Sequence, residues 1–67
     1  MKVHITKHAI YRFKERVLMD TSVSNGTAVF VINKGMKKYP ASLRNGVFPL
    51  YGHRAVVCDK RLVTVKP

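Results

Sequence analysis

The chain has 67 residues, room for one domain and no second lobe. Thirteen Lys and Arg stand against three acidic residues, Glu15, Asp20 and Asp59, for a formal net charge of +10. That balance leaves little for chemistry built on paired carboxylates, and one cysteine, Cys58, excludes an internal disulfide.

A domain of this size buries only about 60% of its unfolded-chain surface, so its core is thin and a deep pocket does not fit. Its 46% apolar content still suffices for a folded chain. One cysteine and three scattered histidines form no metal-ligand pattern, so neither a metal nor a cofactor is expected. No hydrophobic signal core opens the sequence, and its longest apolar run, Ala28 to Ile32, is far too short to span a bilayer. A cytoplasmic protein without membrane contact is the expectation. The positive surface points to RNA or another polyanion as partner, or to an acidic protein.

In chain order, Met1 to Ile5 alternates weakly and reads as a short strand or an extended lead-in. Thr6 is a good N-cap for a first helix running to about Met19. At 100° per residue, Ala9, Ile10, Phe13 and Val17 form a core stripe, and His8, Arg12 and Arg16 line its edge. Asp20-Thr21-Ser22 breaks this helix, and Thr21 or Ser22 can cap the next element. Ser22 to Tyr39 divides amphipathically as a second helix. Ala28, Val31, Ile32, Gly35, Met36 and Tyr39 lie on one side, and Asn33, Lys34 and Lys37 on the other. The run Ala28 to Ile32 reads as a strand too, and Phe30 falls on the polar side of the helix, where it marks a partner contact or a wrong assignment.

Tyr39-Pro40 ends the element. Ala41 to Gly46 is a polar connection with an Asn45-Gly46 turn signal. Three strands follow: Val47 to Tyr51, with Pro49 suggesting a sheet edge; Arg54 to Cys58; and Arg61 to Lys66. Gly52-His53 and Asp59-Lys60 make the turns between them, and Cys58 reads as a small core residue. The expected fold is α+β, two N-terminal helices packed on a three- to four-stranded antiparallel sheet.

The titratable groups suit one reaction. RNA is cleaved without metal when its 2′-hydroxyl attacks the adjacent phosphorus. Histidine can move the protons and arginine can hold the phosphate oxygens. His8, Arg12 and Arg16 are the candidate catalytic row, with Arg54, Arg61 or Thr64 completing the site from the sheet. Each also has an ordinary explanation: His8 as a polar surface residue, Arg12 in an ion pair with Glu15, Arg16 with its stem over the core edge. His53 reads as a turn residue, and Tyr11 and Tyr51 either stack on bases or pack at the core edge. Lys7, Lys14, Lys37, Lys38, Arg44, Arg54, Lys60 and Arg61 are the candidate nucleic-acid contacts. Without catalysis, the same charges suit a nucleic-acid-binding module, or a phage-type inhibitor docking on an acidic host protein.

The segment Ile5 to Arg16 resembles the opening helix of small prokaryotic and phage domains related to the RelE and BrnT toxins, in which a His-Ala pair is followed by two arginines. These belong to the broader group that includes barnase, EndoU and colicin ribonucleases. Leu62-Val63-Thr64-Val65 resembles their closing strand. The resemblance implies metal-independent RNA cleavage, or an inactive derivative that still binds RNA or a partner such as an antitoxin. It carries over to His8, Arg12, Arg16 and Thr64. The second segment departs from the pattern, with Val23, Gly26 and Phe30 where those domains carry carboxylates.

Overall fold

The computed structural model describes residues 4–39 and 45–67. A short strand β1 (His4–Ile5) leads into helix α1 (Lys7–Phe13), whose last residues continue as a wider π-type turn, Lys14–Leu18. Helix α2 (Asn25–Met36) follows, then the meander β2 (Gly46–Leu50), β3 (His53–Cys58) and β4 (Arg61–Lys66). The α+β class holds. The antiparallel expectation does not: the sheet order is β1-β4-β3-β2, with β1 parallel to β4. Tight turns fix only the directions of the strands they join. β1 is joined to the others through the helices, so it can run alongside β4, and it precedes both helices.

Thr6 holds the junction of β1, α1 and β4. Its Oγ1 accepts from the Ala9 amide at 3.2 Å, capping α1, and donates to the carbonyls of Leu62 at 3.0 Å and Val63 at 3.3 Å. Its own amide donates to Leu62 as well. α1 buries Ala9, Ile10 and Phe13, as its periodicity expects, but the regular helix stops at Phe13. The widened turn ends on Met19 in the left-handed conformation (φ 55°).

α2 is a helix, not a strand, and it starts at Asn25 rather than Ser22. The Asp20 carboxylate accepts from both the hydroxyl and the amide of Ser22, which commits that residue to a turn. Those two bonds hold the Asp20 carboxyl below its ordinary value. Ser24 supplies the cap instead, accepting from the Thr27 amide at 3.2 Å. Ala28, Ile32 and Met36 are buried. Gly35 has a packing reason: a Cβ there would lie 2.5 Å from Leu50 Cδ1 and 2.7 Å from Tyr51 Cε2. Only a glycine lets α2 come this close to the end of the β2–β3 hairpin.

Both hairpins close through two residues at positive φ, Tyr51-Gly52 and Asp59-Lys60, the signature of type I′ turns. The first turn is therefore one residue earlier than expected, and His53 begins β3. β2 is an edge strand. Pro49, whose missing amide hydrogen is tolerated at such an edge, has its carbonyl bonded by the Tyr39 hydroxyl. The Tyr39 ring packs on Phe48, 5.1 Å between centroids.

A β-bulge decides which way β4 faces. Val56 pairs with Thr64 and Val57 with Leu62, so Val63 is an extra residue. Leu62 and Val65, three apart, consequently both lie in the core, against Ala55 and Val57 of β3. Both helices cover this face, α1 over β4 and α2 over β2. Alternation sends Arg54, Val56 and Cys58 of β3 and Val47 and Pro49 of β2 to the opposite face. Cys58 is accordingly exposed, not a core residue.

Candidate nucleic-acid interface

The expected catalytic row starts well and then divides. His8 lies on the outward side of α1, exposed, its imidazole making no hydrogen bond to the described residues. Arg12, one turn on, is half-buried, and its Nη1 donates to Glu15 Oε1 at 2.7 Å. Such an i,i+3 pair contributes about 0.2–0.5 kcal/mol, little enough for a phosphate to displace. Arg16 falls in the π-type turn, where five residues rather than four make the repeat. It is half-buried, and its Nε is shielded from solvent with no partner among the described residues. Thr64 stands across the sheet from all three. It pairs with Val56 on the face that α1 does not cover. One concave surface therefore does not gather His8, Arg12, Arg16 and Thr64.

The candidate phosphate contacts are dispersed in the same way. Lys7 is exposed at the start of α1. Lys14 differs from the others: it is buried, and its Nζ donates to Asn25 Oδ1 at 2.6 Å, tying the π-type turn to the first residue of α2. Lys37 and Lys38 are exposed beyond the end of α2, the latter with its ammonium 5.4 Å from the Tyr39 ring centroid. Arg44 lies outside the described residues. His53 has a structural role, its Nδ1 at 3.1 Å from the Tyr51 carbonyl. Tyr51 packs its ring edge-on to Phe13 and donates its hydroxyl to the Val31 carbonyl, whereas Tyr11 remains exposed.

What the topology does gather lies on the face of the sheet that the described residues leave uncovered. The β3–β4 register puts Arg61 beside Cys58 at one end and Arg54 beside Lys66 at the other, all exposed. Lys60 stands at the hairpin tip next to Arg61. Arg54 Nε donates to the main-chain oxygen of Pro67 at 3.2 Å. Between the charged ends run Val47, Val56 and Thr64. Cys58, Asp59, Arg61 and Val63 line a shallow depression of about 390 Å³. Asp59 is the one acidic side chain on this side among the described residues, and its amide is held by Asn45 Oδ1 at 2.9 Å. Arginine forks on an open surface can hold phosphate oxygens, and a flat apolar strip between them can accept a sugar or base.

This grouping was accessible from the sequence in part. The Asp59-Lys60 turn pairs Cys58 with Arg61, which places both on one face. The extra residue at Val63 was not accessible, because Leu62, Val63 and Val65 are all apolar and any of them could face the core. Among the described residues, no three His, Cys, Asp or Glu side chains come together to hold a metal, and no helix is long and apolar enough to cross a membrane. Compared with protein-family models, with curated proteins and with solved structures, the chain matches none.

Proposed function

We propose that this protein binds RNA through the uncovered face of its sheet. The observation that supports this most is the charge there: Arg54, Arg61 and Lys66 are exposed on it, Lys60 is at its tip, and Asp59 is the one acidic side chain beside them among the described residues. Cations at both ends of a strand pair, roughly 15 Å apart by the strand rise, suit well-separated phosphates of one chain better than a single small anion.

The test is fluorescence anisotropy of a labelled 12-nucleotide single-stranded RNA between 50 and 200 mM salt. Affinity should fall steeply with salt, the slope in log–log form being about −0.7 for each phosphate neutralised. Replacing Arg54 and Arg61 together by alanine should weaken binding and flatten that slope by about 1.4. A salt-independent affinity, or a double variant indistinguishable from the parent, overturns RNA binding by this face. Preference for an acidic polypeptide over RNA would assign the face to a protein partner instead.

Metal-independent cleavage of the bound RNA is a second reading, in keeping with the resemblance to RelE- and BrnT-related domains. It is favoured by His8 standing exposed one turn from Arg12. Its support is local to α1, since Thr64 lies on the other face. RNA incubated in EDTA should be cut by the parent and not by the His8→Ala variant. An intact substrate with the parent leaves binding alone.

A further inference from the structure

On the opposite side of the molecule, α2 carries a second surface that its packing does not explain. Phe30, Asn33, Lys34 and Lys37 follow at intervals of three, one and three residues, which places them together on the outer side of the helix. Phe30 is 68% exposed, although Ala28, Ile32 and Met36 on the same helix are fully buried. These four side chains line a shallow, mainly apolar groove of about 370 Å³.

A single exposed phenylalanine is ordinary on a small protein. Here three further features accompany it. The groove is formed around the ring, its rim carries two ammonium groups, and α2 contains no acidic residue over its whole length. An aromatic face set between cations, with a side-chain amide beside it, offers each part of a nucleotide a partner. The ring can stack on a base, Lys34 and Lys37 can meet the flanking phosphates, and Asn33 can bond a base edge. A second copy of the chain is a poor occupant, because a two-fold contact centred on this patch would press its lysines against their own equivalents. A base held inside a duplex offers no free face to the ring.

We infer that the groove of Phe30, Asn33, Lys34 and Lys37 is a stacking site for an unpaired base of single-stranded RNA. The inference rests on RNA being the partner, and it places a base contact on the helix side, apart from the sheet face.

The experiment compares the parent with Phe30→Ala and Phe30→Trp, using a 12-nucleotide single-stranded RNA and heparin as two probes. Phe30 is outside the core, so the alanine variant should fold as the parent does, which circular dichroism checks. Phe30→Ala should lose roughly 5- to 150-fold in RNA affinity, the range for one base stacked on an aromatic ring. Heparin, a polyanion without bases, should bind it as it binds the parent. Phe30→Trp should retain RNA binding, and Lys34→Ala with Lys37→Ala should weaken both probes. Equal RNA affinity in parent and Phe30→Ala overturns the stacking site and leaves the sheet face standing. An equal loss on RNA and heparin overturns it too, since no base is involved. If the parent binds neither probe, RNA recognition falls altogether.

Discussion

Among the described residues, no other side chain makes as many hydrogen bonds as that of Thr6. Its hydroxyl caps α1 and at the same time bonds two carbonyls of β4 beside the bulge. Thr6→Val keeps the shape and removes both functions, so it should cost about 1–3 kcal/mol, a large share of what so small a domain has. Thr6→Ser should recover most of the loss, and urea unfolding of the pair checks the comparison. The cap itself was legible, because a threonine ahead of an apolar-periodic segment has a local cause. Its second bond was not, since the partner lies 56 residues away. The same division explains the two misplacements nearby. Thr21 or Ser22 was the cap expected for α2, but the Asp20 carboxylate claims Ser22 and Ser24 caps the helix instead. Cys58 looked like a core residue by its apolar neighbours, and only the strand alternation turns it outward.

Among the elements, the helices were readable because α2 repeats its apolar positions over three turns and α1 over two, and α2 survives Gly26 and Gly35 for that reason. The π-type turn and the β4 bulge each add one residue to a repeat, and neither leaves a compositional mark. Both matter for the site: the first moves Arg16 out of line with Arg12, the second puts Thr64 on the far face. Lys14, an expected phosphate contact, follows the buried Ile10 by four residues, which turns it inward, and it is buried against Asn25. Lys14→Met should therefore leave the salt slope of RNA binding nearly unchanged and cost little stability, while Asn25→Ala, which strands the ammonium, should destabilise by about 1–3 kcal/mol. Equal effects of Lys14→Met and Arg61→Ala on the slope would contradict this placement. The β3–β4 hairpin gives a third test. Lys60 sits at φ 62°, where a side chain other than glycine or asparagine is disfavoured. Lys60→Gly should stabilise the fold by about 0.5–1 kcal/mol, read from the urea midpoint, while weakening RNA binding through the lost charge.

For the whole molecule, the decisive fact is that, among the described residues, one helical layer covers only one side of a four-stranded sheet. The α+β class followed from the order of elements, but the mixed sheet did not, because nothing local to His4–Ile5 specifies its partner. Charge is the other global property. With a formal +10 on 67 residues, and a single ion pair, Arg12 to Glu15, among the described residues, repulsion between cations opposes the folded state. Salt screens that repulsion over about 10 Å at 0.1 M, a distance comparable with half the 18 Å thickness of the molecule. Raising NaCl from 20 to 200 mM should thus increase the melting temperature, by roughly 4–8 °C if about 1 kcal/mol of repulsion is removed. RNA affinity should fall over the same range, because the same cations that repel one another in the free protein release counterions when they meet phosphates. Thermal unfolding by circular dichroism and RNA titrations in matched buffers measure the two trends together. A melting temperature that falls with salt would mean that attractive pairs, not cation repulsion, dominate the surface.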